Sequence, residues 1–344
     1  MPDPVLATAL APQGLPGSGP GPAAPRDAAI LSVGAELPKG VLTTAELAAQ
    51  LDVTEEWIMS RTGIRERRRA APDERLSDFA ARAGARALAR AGVDAADLDL
   101  VLVATMTPDE VTPNTAPVVA EALGATRAGA CDVGAACTGW LSGLGLGAAQ
   151  VESGRADLVL LIGADFITRI TDYDDKRTAP LFADAAGAVV LGAVSAASGG
   201  RIGPVVLRCD GSHADTIHAT HEDRLLRMDG PEVYRHAIMR MTEVTHEAVA
   251  RAGLTLDEID LFVYHQANAR ITRALGERMG IAPERVVDCI ERLGNASAAT
   301  IPVGLLAAEE DGRLGAGARV LVSAFGAGFT WGGGVIEWSA GRDG

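Results

Sequence analysis

Cys131–Gln150, CDVGAACTGWLSGLGLGAAQ, reads as a buried strand (Cys131–Gly134), a tight turn of small residues, and a helix with a cysteine at its start. Cys137 thus stands where a strand feeds a helix N-terminus, and the unpaired N–H groups and macrodipole there favour negative charge. A thiol so placed is expected to ionise below its ordinary value of roughly 8.5, toward neutrality, and the thiolate is the nucleophilic form. Behind it come Gly139, Ser142, Gly143, Gly145, Gly147, Ala148 and Ala149. This composition is poor for an isolated helix. It suits a buried helix on which other backbones pack closely. Taken alone, the stretch serves a nucleophile and a packed structural cysteine equally well.

The 344 residues suit one large or two intimately packed domains. The chain is 48% hydrophobic. No run approaches the ~18 apolar residues of a membrane span, so a soluble protein is expected. A net charge of −14 argues against nucleic acid as a partner. Cys131, Cys137, Cys209 and Cys289 have neither C-x-x-C nor Cys/His ligand spacing. No disulfide framework and no metal site is signalled, and a reducing, cytoplasmic setting fits. Residues 1–26 are rich in Pro, Gly and Ala and lack the basic start of a secretory signal, so a disordered leader is expected.

From Ala28 the chain alternates strands and helices. AAILSVGAELPKG is a strand. TTAELAAQL and TEEWIMSRTGI are short helices opened by threonine caps. Ser77–Ala91 is an amphipathic helix, Asp97–Ala104 a strand and Thr115–Leu123 a helix. Ala156–Gly163 and Ala185–Val194 are strands, the latter after the small-residue turn FADAAG. Between them lies the charged loop Asp172–Thr178. Arg61, Arg65, Arg67, Arg68 and Arg69 form a local basic run. Such a run is either a solvated face or, in an acidic protein, a patch for an anionic partner.

The second part of the chain repeats the first. ARAGVDAADLDLVLVATMT begins at Ala89 and ARAGLTLDEIDLFVYHQAN at Ala250, an offset of 250 − 89 = 161 residues. Both copies are a helix end, an acidic turn and a buried strand. A repeat of this length is a duplicated domain rather than a solenoid, and apolar strands alternating with helices predict sheets covered by helices. The expected organisation is the leader 1–26, a first α/β half at 27–198 and a second at 199–344, with one shared cleft. Where the first copy has Ala104, the second has His265. A lone histidine at a strand end is structural or, at the carboxyl edge of a parallel strand, where such folds bind ligands, functional. Asn295 in RLGNASAAT is a helix cap or a site residue. Ser323–Gly334, SAFGAGFTWGGG, is a simple hairpin turn or a place where backbone approaches a ligand.

AACTGW, HQAN, GNASAAT and FGAGFTWGG, in this order, resemble the thiolase superfamily, and most of all its β-ketoacyl-acyl-carrier-protein synthase III branch. TEEWIMSRTGIRER extends the similarity, which runs from about Ala28 to the C-terminus. The resemblance implies a five-layered αβαβα fold of two duplicated α/β halves and a homodimer. It implies that Cys137 accepts an acyl group from acyl-CoA. The backbone N–H groups of Cys137 and Ala327 would form the oxyanion hole, with Phe329 near the nucleophile. His265 and Asn295 would steady the enolate left when malonyl-acyl carrier protein loses CO₂. Fatty-acid elongating synthases carry a second histidine where this chain has Asn295, and plant-type polyketide synthases lack this HQAN form.

By the same resemblance Trp57, Arg61, Lys176 and Asn268 bind coenzyme A, which is a substrate, so no cofactor is implied. For Trp57, plain core is the competing reading. Arg235, Arg270 and Arg273 would dock the acidic carrier protein. Lys176 stands where the family has an arginine, Pro231 where it has an asparagine, Trp140 where it has a phenylalanine, and ADAAG where it has GDGAG. Thr112 replaces a phenylalanine that closes the acyl tunnel in some members, so Thr112 and Trp140 are expected to shape a tunnel for primers larger than acetyl. The leader and altered loops favour starter-unit selection over fatty-acid initiation. Two alternatives are an acyltransferase that moves the acyl group from Cys137 to an alcohol or amine, and a non-catalytic carrier-binding member. The intact Cys137, His265 and Asn295 argue against both.

Overall fold

The computed structural model describes residues 26–194 and 199–339. The expected leader, Arg26 excepted, lies outside the described residues. The first half contains β1 (Asp27–Glu36), α1 (Leu76–Ala91), β2 (Leu100–Ala104), α2 (Thr115–Leu123), β3 (Gly129–Val133), α3 (Gly139–Glu152), β4 (Leu158–Phe166) and β5 (Asp184–Val194). Its sheet runs β1-β5-β4-β2-β3. β3, β2 and β4 are parallel, and β5 and β1 antiparallel. β2, β4 and β5 are buried along most of their length because helices cover both faces.

The second half contains β6 (Arg201–Ile202), β7 (Val206–Cys209), α4 (Gly230–Arg251), β8 (Leu261–Tyr264), α5 (Ala269–Met279), α6 (Thr300–Glu310), β9 (Arg319–Gly326) and β10 (Thr330–Glu337). Its sheet runs β8-β9-β10-β6, with β7 also on β10. The pattern β2-β4-β5, a parallel then an antiparallel pair, reappears as β8-β9-β10. β8 follows β2 at 261 − 100 = 161 residues. The counterpart of β3 has shrunk to one bridge, Phe262 to Val286.

α1 and α2 cover the outside of the first sheet, and α4 and α5 the outside of the second. α3 and α6 lie between the sheets, in a core that joins Leu144 and Leu305 to Leu161 and Val322. These are the five α/β/α/β/α layers. The small residues of α3 form its packing faces. A Cβ on Gly143 would stand 2.4 Å from the Leu161 side chain, and one on Gly147 2.7 Å from Leu191. Trp140, expected at the acyl tunnel, is instead fully buried in this central core and does not line the cavity described below.

Other expectations need correction. β3 is not a buried strand: it is the sheet's edge with one neighbour, and Cys131 is exposed. The span 97–104 divides into a 3-10 turn (Ala95–Asp97) and β2. FADAAG is not a turn. Asp184–Gly187 already belongs to β5, where Asp184 accepts from Ala70 N–H and from the N–H and hydroxyl of Thr168.

The arginine run is not one basic patch. Glu66–Arg69 is a strand paired with Gly40–Thr43, so its side chains alternate faces. Arg67 points inward and is fully buried. It donates to the Pro180 carbonyl at 2.6 and 3.0 Å and to the Thr44 hydroxyl at 2.7 Å. Burial lowers its guanidinium to about 10. Arg65 pairs with Glu291, and Arg69 lies over the Tyr173 ring. Arg67→Ala is expected to cost about 3 kcal/mol, because it orphans buried acceptors of a charged donor. Arg67→Lys keeps one donor and should recover part of the loss. Thermal or denaturant unfolding measures both, and an unchanged midpoint for Arg67→Ala would refute this role.

Candidate active site

Cys137 lies in a single 3-10 turn, Ala136–Thr138, between β3 and α3. The turn is reached through Ala136 at φ 45°, a left-handed conformation uncommon for a residue with a Cβ. The β9–β10 hairpin closes over it. A Cβ on Gly326 would stand 2.9 Å from the Cys137 Cβ and 3.1 Å from its N, so only glycine permits this approach. Ala327 follows at the same cavity wall. The hairpin turn thus brings backbone, not side chain, to the nucleophile.

The thiol does not ionise as its place before a helix suggests. Part of Cys137 opens into the cavity, but surrounding protein desolvates the sulfur and pushes it up to about 11. A helix terminus supplies at most about 2 kcal/mol, and here the first turn is 3-10 rather than α. Burial wins. It also lowers His265, 2% exposed, to about 4. At neutral pH a neutral thiol and a neutral imidazole share the site.

The segment Asn295–Thr300 arranges both groups. Asn295 Oδ1 accepts from Ser297 N–H at 2.9 Å. That contact orients the amide so that Nδ2 is the end left to donate, with a long bond to the Ala267 carbonyl at 3.4 Å. Ser297 takes a left-handed φ of 49°. Its Oγ lies 3.5 Å from Cys137 Sγ and 3.7 Å from Met106 Sδ. Thr300 Oγ1 lies 2.6 Å from His265 Nδ1. Sequence reasoning found Asn295 and missed Ser297 and Thr300. Their place in the small-residue run beside Asn295 was the available signal.

Cys137, His265, Asn295, Ser297 and Ala327 line one cavity of about 520 Å³. Its buried floor is apolar, formed by Ile167, Leu181, Phe182 and Leu226 with Met106. Its exposed lining is the mouth, where Arg61, Lys176, Arg177 and Arg270 stand. Arg61 lies 4.2 Å from the centre of the Trp57 ring, which is part-buried against Leu47 and Ile58 and so is both core and rim. Asn268 lines the cavity, but its amide is engaged: Oδ1 caps α5 through Arg270 N–H, and Nδ2 donates to the Arg61 carbonyl. It positions Arg61. Arg235 and Arg273 are exposed nearby on α4 and α5 and do not line the cavity. Phe329 is fully buried against Phe325, which lines the cavity where Phe329 does not. Thr112 is exposed and outside this chain's own cavity.

His213 and the helical pair Glu232 and His236 bring potential ligand atoms within 4.8 Å of one another. Arg235 already occupies the cluster, 2.5 Å from Glu232 Oε1 and 3.4 Å from His236 Nε2. The His213 ring stacks on Phe329, and the His236 ring lies tilted against it. The cluster reads as an ion pair that supports the hairpin turn. Among the described residues no helix is long and apolar enough to cross a membrane.

With the thiol at about 11, iodoacetamide labelling of Cys137 in the free protein should rise about tenfold per pH unit above neutrality. Peptide mass spectrometry follows it. A plateau near neutral pH would mean that the helix terminus outweighs burial after all.

A family model described as 3-oxoacyl-[acyl-carrier-protein] synthase III matches residues 131–211, and its C-terminal counterpart matches residues 249–338. The chain is 42% identical over 327 residues to the β-ketoacyl-[acyl-carrier-protein] synthase III of Symbiobacterium thermophilum, covering 91% of this chain and 98% of that protein. It is 42% identical to synthase III 2 of Streptomyces coelicolor, covering 91% and 94%. Among solved structures, the Aquifex aeolicus synthase III superposes with a TM-score of 0.87 at 37% identity, covering 90% of this chain and 100% of that one. The priming β-ketosynthase of the R1128 polyketide pathway superposes at 0.88 with 36% identity, covering 94% and 100%. The chain belongs to the β-ketoacyl-[acyl-carrier-protein] synthase III family.

Proposed function

We propose that this protein condenses an acyl-CoA primer with malonyl-acyl carrier protein, with loss of CO₂, through an acyl-Cys137 intermediate. The observation that carries the reading is Asn295. Its Oδ1 is held by Ser297 N–H, which leaves Nδ2 as the donor end, and Asn295 lines the cavity that holds Cys137 and His265. Cys137 attacks the acyl-CoA carbonyl while the N–H groups of Cys137 and Ala327 hold the oxyanion. CoA leaves and the malonyl thioester enters. His265 and Asn295 hold its oxygen as CO₂ departs, and the carbanion attacks acyl-Cys137. An acyltransferase without condensation forms no enolate and has no use for that locked donor.

The basic mouth suits CoA. A Trp57 face for the base and the Arg61 guanidinium for phosphate supply complementary chemistry, with Lys176 and Arg177 adjacent. Arg270 and Arg273 offer cations to an acidic carrier protein on an otherwise acidic enzyme, while Arg235 beside them is already paired with Glu232. The apolar floor suits a primer larger than acetyl. With the polyketide priming enzyme among the similar structures, that supports starter-unit selection as well as fatty-acid initiation. We also propose a homodimer. β3 ends its sheet as an exposed edge, α3 packs on it, and Leu146 of α3 is 52% exposed. The free thiols support a cytoplasmic setting.

Mass spectrometry of the Cys137 peptide with a panel of acyl-CoAs, then malonyl-acyl carrier protein, tests the reaction. An acyl mass discharged to a β-ketoacyl product lighter by CO₂ is expected. Acylation that only an alcohol or amine discharges would select the acyltransferase. Asn295→Ala should still acylate but lose discharge by roughly 10²-fold. In the dimer Thr112 would reach the second copy's cavity, so Thr112→Phe should shift preference toward acetyl-CoA. An unchanged profile would remove Thr112 from the tunnel.

A further inference from the structure

We propose that Thr300 is a positioning residue that decides which ring nitrogen of His265 carries the proton. Its Oγ1 has three partners: His265 Nδ1 at 2.6 Å, the Ser297 carbonyl at 3.0 Å and Gln266 N–H at 3.2 Å. A hydroxyl has one hydrogen and two lone pairs. The Gln266 N–H can only donate, so it takes one lone pair. The Ser297 carbonyl can only accept, so it takes the hydrogen. The remaining lone pair faces His265 Nδ1, which must carry a proton for that short contact to be favourable. Nε2 is left with its lone pair free. Thr300 is 4% exposed and His265 2%, so water does not compete for these contacts.

The inference deepens the condensing reading and rests on Cys137 accepting the acyl group. In acylation the thiol proton passes to Nε2 as the bond from sulfur to the acyl carbon forms. When the bond from that carbon to the CoA sulfur breaks, the leaving thiolate takes the proton back from Nε2. Acyl-CoA and thiol become acyl-cysteine and CoA thiol, and His265 is restored. The opposite tautomer would carry its proton on Nε2 and could take no second one there without becoming charged. In condensation, loss of CO₂ and departure of the Cys137 thiolate leave one negative charge, so each turnover consumes one solvent proton. That proton, held on Nε2 and favoured there by the incoming malonyl carboxylate, is donated to the enolate oxygen as a hydrogen bond. It then passes to the Cys137 thiolate. Nδ1–H stays on Thr300 through both halves. One hydroxyl thus lets a single imidazole act first as acceptor and then as donor.

Nitrogen-15 NMR of ring-labelled histidine reads the tautomer directly in the free protein. Wild type and Thr300→Ser should show His265 protonated at Nδ1. Thr300→Val, similar in shape without the hydroxyl, should shift the population toward Nε2–H and slow Cys137 acylation by roughly 10²-fold, while Thr300→Ser stays within a few-fold of wild type. An Nε2–H tautomer in wild type overturns the proposal, as does wild-type acylation by a folded Thr300→Val. Should Thr300→Val not fold, the wild-type spectrum still decides. Because that spectrum needs no substrate, failure to find an acyl donor would count against the proposed reaction and not against the tautomer.

Discussion

The site exists because backbones approach more closely than side chains would allow. A Cβ on Gly163 of β4 would stand 2.4 Å from the Ala298 carbonyl oxygen, and one on Gly187 of β5 2.8 Å from the Pro302 ring. These contacts seat the start of α6 directly on the first sheet. The Gly326 approach seats the second sheet's hairpin on Cys137. Residues from 137, 265, 295 and 326 meet in one cavity only because none of these backbones carries a side chain at the contact. The cost is a pair of central helices with low intrinsic propensity, offset by burial on every side.

Burial then sets the electrostatics. Thiol and imidazole are both desolvated, and each is driven to its neutral form. A preformed thiolate–imidazolium pair would leave two charges in low dielectric, where desolvation outweighs a terminus dipole. The cavity keeps its cations, Arg61, Lys176, Arg177 and Arg270, at the mouth, where water screens them and anionic phosphates can arrive. Asp165, fully buried and raised by desolvation, is met by Met106 N–H, the Thr105 and Thr107 hydroxyls and Ala298 N–H. It ties β4 to the segment that carries Ser297 and Thr300. The hydrogen-bonded segment from Asn295 to Thr300 is therefore a rigid bracket between thiol and imidazole rather than a loop.

Much of this was legible along the chain. The 161-residue repeat becomes two sheets with the same parallel-then-antiparallel core, because identical apolar patterns bury in the same way. Cys137, His265 and Asn295 were found from four short motifs, and they do share one cavity. Other features were not legible. Arg67 and Arg68 look alike in a run of arginines, and only the strand register sends one into the protein. Trp140 beside the nucleophile looks like a pocket residue, but the helical turn directs it into the core between the sheets.

What the sequence determined by itself was the kind of chemistry and the order of the elements, since residue type, hydrophobic period and repeat are local properties of the chain. What only the tertiary structure decided was protonation and partnership: the high thiol, the low imidazole, the locked Asn295 amide and the placement of Ser297 and Thr300. Those depend on how many atoms from distant segments displace water around a group and which donors and acceptors they bring. Neither quantity is set until the two halves close on each other.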